Sequence, residues 1–389
     1  MRRIPNLPGL SPDLLTPVAN PSRLPGWLPR GRTLLFPCAR QGLYHGWKAL
    51  GLPKGAPVLI PSFVCTTVSQ PLLKAGAKLL FFNVHRDLAI DRDHVSALLR
   101  RHPQTKALVW YHYLGLPVAM NAALDLCSEH GLYFIEDCAH ALFSIYRGRP
   151  AGAWGDVAVF SIRKTLPVLN AGALVINNPR LLPPRPPAFR EPTPAYARIL
   201  HAKEILLHRL QAEALRTGRG LARAGLLRHL RLIKKMNSPV KSVREHTRKH
   251  LYDSDRLHQQ MERPFRLDEA SLLVMHNCAP EEIRRARRRN YRTYLRNLRD
   301  IALFRSLPHG AAPLGFPVQV DARDVLRLRL ARQGIESATH WPDWLLPPGV
   351  ARKFPEAARL ANTLLTLPCH HGLTPAEIRC ICTAVRRAL

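Results

Sequence analysis

Residues 132–173 read LYFIEDCAHALFSIYRGRPAGAWGDVAVFSIRKTLPVLNAGA. Two apolar runs within them, Leu132–Ile135 and Val157–Phe160, have the length and composition of buried strands. The first runs into Glu136-Asp137 and the second delivers Ser161 and Lys164. Each run therefore sets polar groups at the carboxyl end of a strand, which is where open α/β sheets bind ligands. The pattern predicts that Asp137, His140, Ser161 and Lys164 converge. Taken singly, an aspartate at a strand end is a turn residue or a helix cap, and a lysine is a solvated surface group. The order and spacing of the four favour a site.

Those residue types suit pyridoxal 5'-phosphate. A lysine amine forms a Schiff base with its aldehyde, and a carboxylate facing the pyridine nitrogen keeps the ring protonated as an electron sink. Ser161, three residues before Lys164, is placed to reach the phosphate of the same cofactor, and Arg163 adds charge to that grip.

Three motifs carry a family resemblance. IEDCAHAL (135–142) resembles the IEDAAQAH of the DegT/StrS-type sugar aminotransferases, GDVAVFS (155–161) resembles their GDAGCFSF, and Lys164 followed by Asn170-Ala171-Gly172 resembles their lysine and Gly-Gly pair. The similarity runs with interruptions from about Leu34 to the C-terminus. It implies a fold type I pyridoxal-phosphate enzyme, with Asp137 as the pyridinium partner, His140 near the cofactor's 3-hydroxyl where the family has glutamine, Ser161 on the phosphate and Lys164 carrying the cofactor. The serine-to-lysine spacing departs from the family, three here against five.

Further segments extend the likeness. Cys38-Ala39-Arg40-Gln41-Gly42 is similar to the family's SGTAAL turn, which implies that backbone amides of Ala39 and Arg40 meet the phosphate at a helix start, with Arg40 replacing a hydroxyl. PSFVCTT (61–67) resembles PSFTFVAT, so Cys65 stands where the family stacks an aromatic on the cofactor ring; Phe63, His112 and Tyr113 are the candidates to replace it. HYLGLPVAM (112–120) is similar to HLYGQPADM. In RPFRLDEASLLVMHN (263–277), Pro264 occupies the place of an asparagine that touches the partner subunit's cofactor, so that ligand does not carry over, while Arg266 is kept. His340 and Trp341 fall where the family's small domain returns to the active site; His340, with His112 and Tyr113, is a candidate substrate residue.

Strand-like runs at Ala56–Ile60, Leu79–Phe82 and Ala107–Tyr111 alternate with helical patterns at His94–Arg101 and Asn121–His130. Such alternation predicts an α/β fold with a largely parallel sheet flanked by helices. The last ninety or so residues read as a small α/β domain, with strands at Ala311–Val320 and Ile335–His340 and helices at Asp321–Gln333 and Pro375–Ala388. The expected organisation is a proline-rich arm over 1–33, a large domain over 34–262 and a small C-terminal domain over 263–389. A basic helical insertion is expected at about 187–250: from Arg198 to Lys249 there are 14 Lys/Arg against 3 acids.

In a chain of 389 residues, 46% hydrophobic and 22% charged content describe a globular protein, but the net charge of +31 is far from ordinary. It points to polyanionic contacts or to a base composition that enriches arginine. The eight cysteines show no CxxC pair, so reduced thiols and no metal site are expected. No apolar run is long enough to span a membrane and no secretory leader is recognisable, so a cytoplasmic protein is expected.

The expected function is therefore a pyridoxal-phosphate-dependent aminotransferase. It would move an amino group from an amino acid, glutamate foremost, to a keto-sugar, nucleotide-linked, in polysaccharide or secondary-metabolite biosynthesis. The resemblance implies a homodimer. Two other readings differ. One keeps the cofactor but performs dehydration or uses a non-sugar carbonyl, although related dehydratases carry histidine in place of Lys164. The other is a non-catalytic binding or regulatory module that contacts nucleic acid or an anionic membrane through its arginine-rich helices; of the two, nucleic acid is not the expected partner.

Overall fold

The computed structural model describes residues 4–20, 24–29, 31–168, 170–182, 267, 269–342 and 345–389. The basic insertion expected at about 187–250, Pro264 and Arg266 lie outside the described residues.

A seven-stranded sheet organises the larger part. Its strands are β1 (Arg32–Phe36), β2 (Pro57–Pro61), β3 (Lys78–Phe82), β4 (Ala107–Tyr111), β5 (Tyr133–Asp137), β8 (Val157–Ser161) and β9 (Gly172–Ile176), in the order β1-β9-β8-β5-β4-β2-β3. A short hairpin, β6 (Ile145–Tyr146) and β7 (Arg149–Pro150), lies apart from it. The pairings from β3 through β8 are parallel, while β9 is antiparallel to both its neighbours. β2, β4, β8 and β9 are buried along their whole length, as expected where helices cover both faces.

The helices between strands start and stop on local signals. α1 (Ala39–Ala49) and α2 (Thr66–Lys74) follow β1 and β2. α3 (Arg92–Arg101) begins at Asp91, whose carboxylate accepts the His94 amide at 2.9 Å. α4 (Met120–His130) ends at Gly131, in the left-handed conformation that closes helices.

After α5 (Glu269–Asn277) and the long α6 (Pro280–Leu298), a three-stranded antiparallel sheet β10-β12-β11 is built from Gly315–Gln319, Leu364–Pro368 and Ala338–Thr339. With α7 (Arg323–Arg332), α8 (Val350–Lys353), α9 (Pro355–Thr363) and α10 (Pro375–Ala388) it completes the chain. Its core packs Tyr291 and Tyr294 of α6 against Phe316, Leu367, Ile381 and Val385. Arg287 of α6 is buried, and its guanidinium donates to the carbonyls of Pro313 and Leu314 and to that of Thr165, the residue after Lys164.

The strand expected over Ile335–His340 shrinks to Ala338–Thr339 because its first amides are already taken. Ile335 N–H closes the end of α7 on Leu330 O, and Glu336 N–H donates to Ile4 O. The expected strand over Ala311–Val320 likewise narrows to Gly315–Gln319. The described part of the proline-rich arm is docked on its own chain rather than loose. Ile4 bridges Ile335, Leu10 and Leu28 are buried with Val274 and Met275, and the Trp27 indole donates to Met275 O at 2.8 Å. No helix among the described residues is long and apolar enough to cross a membrane, and all eight cysteines are free thiols.

Candidate active site

Side chains alternate along a strand, and partners in parallel register share a face. Tyr111 pairs with Asp137, and Asp137 with Val159. Tyr111, Asp137, Val159 and, two residues on, Ser161 therefore share one face at the carboxyl ends of β4, β5 and β8. A single turn of 3-10 helix over Ile162–Lys164 follows Ser161. Within that turn the chain reverses quickly enough that Lys164, three residues on, lines the same cavity as Ser161.

All of these side chains line a cavity of about 220 Å³, together with Cys38, Ala39, Arg40, Cys65, Thr67 and Arg163. That is below the roughly 300–1,000 Å³ of drug-sized pockets, a size for a cofactor rather than for a cofactor and a sugar nucleotide together. Asp137 and Lys164 thus share one compartment, as the sequence predicts.

One wall is a helix end. Cys38, the N-cap of α1, forms no side-chain cap, and it lines the cavity with Ala39 and Arg40 of the first turn. Gly172 permits this: a Cβ there would lie 2.5 Å from Ala39 N and from Cys38 C. Helix N-terminal amides, the Ser161 hydroxyl and the guanidinium groups of Arg40 and Arg163 make a set of donors suited to a phosphate.

At the other end, Asp137 Oδ1 accepts the Ala139 amide at 2.9 Å. Burial raises its carboxyl to about 6, against that amide and the charges of Lys164 and His112. Burial likewise lowers the Lys164 amine to about 8, although the Asp137 charge opposes it. Lys164 Nζ donates to Tyr111 Oη at 3.4 Å. This donor set fits pyridoxal phosphate: a carboxylate for the ring nitrogen, an amine of depressed basicity for the aldehyde, and an anion cradle for the phosphate.

His140 lies beside the cavity rather than in its lining, with its ring edge-on to Tyr111 at 4.9 Å and to His340 at 5.2 Å. Burial, with Lys164 and His340, holds it well below the usual histidine range, so it is neutral. Its Nδ1 accepts the Leu114 amide at 3.3 Å, which assigns the proton to Nε2 and makes that atom a donor.

The three substrate candidates also fall outside the lining. His112 follows the last residue of β4 and reaches the opposite face, where its Nε2 donates to Glu136 Oε1 at 2.8 Å. Tyr113 donates to Phe63 O at 2.6 Å. His340 Nδ1 meets Thr366 Oγ1 at 2.9 Å, and burial lowers it to about 3. Phe63, a candidate ring partner, is fully buried in the core. The aromatic that does line the cavity, Tyr111, was legible only as the end of a strand.

Glu136, beside Asp137 in sequence, is a structural lock. Its Oε1 also accepts Gly152 N, and its Oε2 accepts Trp154 N and Gly155 N at 2.6–3.1 Å. His112, Glu136 and Cys138 bring donor atoms within 4.8 Å of one another, but both carboxylate oxygens are already occupied by N–H donors.

Comparison with known proteins identifies the family. The DegT/DnrJ/EryC1/StrS aminotransferase family profile matches residues 38–183 and 235–386. The chain is 27% identical over 363 residues, 88% of its length and 80% of the relative's, to the UDP-N-acetyl-3-dehydro-alpha-D-glucosamine 3-aminotransferase of Acidithiobacillus ferrooxidans. Its fold is similar to that of DesV from S. venezuelae, at 21% identity and a TM-score of 0.66 over 100% of this chain and 98% of that one. It is also similar to that of DesI, solved in the presence of its TDP-sugar product, at 22% identity and a TM-score of 0.61 over 91% of this chain and 80% of that one. With the family profile matched across most of its length, the chain belongs to the DegT/DnrJ/EryC1/StrS aminotransferase family and is a pyridoxal-phosphate-dependent aminotransferase.

Proposed function

We propose that this enzyme transfers the amino group of an amino acid, glutamate foremost, to the carbonyl of a nucleotide-linked keto-sugar, in the cytoplasm and as a homodimer. The observation that carries the reading is the convergence of Asp137 and Lys164 on one cavity whose far wall is an anion cradle. The relative acting on a UDP-linked 3-dehydro sugar supports the acceptor class.

Pyridoxal phosphate, when bound, supplies an aldehyde that takes up amino groups and a ring that draws electrons from the carbon bearing them. Asp137 would hold a proton on the ring nitrogen. Ser161, Arg40, Arg163 and the amides of Ala39 and Arg40 would hold the phosphate. His140 would offer its Nε2 proton to the ring oxygen. Lys164, its amine lowered to about 8, is neutral in a useful fraction near neutral pH, so Nζ would supply the nucleophile for the aldehyde and the base that moves a proton at the amino-bearing carbon.

Purified protein mixed with the cofactor should absorb in the visible, and Lys164→Ala should abolish that band. A panel of amino acids then bleaches it, glutamate fastest, and nucleotide-linked keto-sugars restore it with formation of an amino-sugar. A wild type that forms no band, or whose band no amino acid alters, overturns the proposal.

A further inference from the structure

Cys65 lines the cavity from the start of α2, and the aromatic side chain in the lining comes from another strand. Tyr111 is the last residue of β4, in register with Asp137, and it lines the cavity that Cys65 also lines. Three rings fix its orientation: His140 edge-on at 4.9 Å, Trp341 edge-on at 5.2 Å and Tyr113 tilted at 5.3 Å. Its hydroxyl, 3.4 Å from Lys164 Nζ, is the one hydrogen-bond partner that amine has among the described residues.

Resting on the cofactor reading above, we propose that Tyr111 is a positioning residue for the cofactor lysine, its phenol oxygen holding the Lys164 amine in place in both protonation states. A lysine side chain is a flexible four-carbon stem, and a base that must return to the same carbon gains from being held. Asp137, when ionised, accepts hydrogen bonds but has no proton to donate to a neutral amine. The phenol has both capacities. Burial, with the nearby Asp137 charge, keeps it protonated well above the usual tyrosine range. It therefore accepts from the ammonium and, by rotating its O–H, donates to the lone pair of the neutral amine. The caged ring keeps the oxygen still while the proton changes side.

A tyrosine that merely fills space makes a different prediction, because Tyr111→Phe keeps the ring and its packing and removes only the oxygen. A hydrogen bond to the ammonium is stronger than one to the neutral amine, so losing the oxygen disfavours the charged form. The test is the peptide-resolved rate of Lys164 acetylation by acetic anhydride against pH, in cofactor-free protein. In Tyr111→Phe the midpoint of that profile should move down by about half a unit or more. On mixing with pyridoxal phosphate, the visible band should form at least about tenfold more slowly, while binding of pyridoxine phosphate, which has the phosphate but no aldehyde, stays within twofold. Full replacement of tyrosine by 3-fluorotyrosine keeps every ring and weakens the phenol as an acceptor. It should shift the profile the same way, and it decides the matter if Tyr111→Phe does not fold. An unchanged profile with an unchanged rate of band formation overturns the proposal. A shifted profile in a protein that never forms the band upholds the Tyr111 contact and sinks the cofactor reading instead.

Discussion

Replacing Asp137 by asparagine separates what the carboxylate does to the fold from what it does for the cofactor. In the cofactor-free protein Asp137 is 2% exposed. Its carboxyl titrates at about 6 rather than 3.8, because burial outweighs the Ala139 amide and the charges of Lys164 and His112. A group whose folded pKa is raised contributes stability that is complete below its unfolded value and is lost as pH rises through the folded one. For Asp137 the window is about pH 4 to 6, and the difference between the two values corresponds to about 3 kcal/mol. Asparagine has nearly the same shape and its carbonyl can keep the Ala139 amide, but it has no charge to bury. Part of the gain is offset because the Lys164 amine loses the negative charge that opposes its desolvation. Urea unfolding of cofactor-free protein at about pH 7 should therefore find Asp137→Asn more stable than wild type by about 1–3 kcal/mol, with the gap closing towards pH 4. Amino transfer by the same variant should fall by a factor of about a hundred or more. A variant less stable than wild type at both pH values would refute the reasoning, since the carboxylate would then be held by bonds stronger than its burial penalty.

Two further substitutions probe the frame around the site. Burial pushes Glu136 up, yet the His112 contact and the amides of Gly152 and Gly155 prevail and hold it below its usual 4.5. Its stabilisation is present above the unfolded pKa and lost as pH falls through the folded one. Glu136→Gln, which turns an NH₂ towards N–H donors, should lose about 2–4 kcal/mol in urea unfolding at neutral pH and flatten that acid-side decline. Gly172→Ala puts a methyl 2.5 Å from Ala39 N and pushes the first turn of α1 out of the phosphate end. Affinity for pyridoxal phosphate should fall about tenfold or more, while affinity for pyridoxal, which lacks the phosphate, changes little; equal losses for both would show that the helix end does not hold the phosphate.

Much of this was legible in the sequence because parallel strands announce themselves as apolar runs and their ends place the ligands. What sequence left open turns on single residues of strand length. With β5 ending at Ile135, as the apolar run alone reads, Glu136 and Asp137 are two loop carboxylates of equal standing. Because the strand continues through Asp137, alternation sends them to opposite faces, one to the cavity and one to the Gly152–Gly155 turn. The same parity decides His112: β4 ends at Tyr111, so the tyrosine gains the cavity and the histidine becomes the partner of Glu136. The spacing of Ser161 and Lys164 was read as a departure from the family, and the 3-10 turn between them shows how both still reach one cavity. The reversed direction of β9 was out of reach as well, since apolar content carries no sign of strand polarity.

Burial also links the site to the stability of the whole chain. Burial disfavours the charge on Asp137 and the charge on Lys164 alike, so near neutral pH the cofactor-free fold carries two groups whose ionic forms it stabilises poorly. A protonated ring nitrogen beside Asp137 would give that carboxylate a counter-charge, and capture of the aldehyde would take the isolated amine out of the balance. Ligands that bind only the folded state raise its stability in proportion to the logarithm of their concentration over Kd. Here part of that binding free energy comes from relieving burial that the folded chain already bears. The rise in Tm on adding pyridoxal phosphate should therefore be smaller in Asp137→Asn than in wild type, even at saturating cofactor, because that variant has less to relieve. An equal rise in both would place the whole of the binding energy in the phosphate cradle and none in the acid and amine.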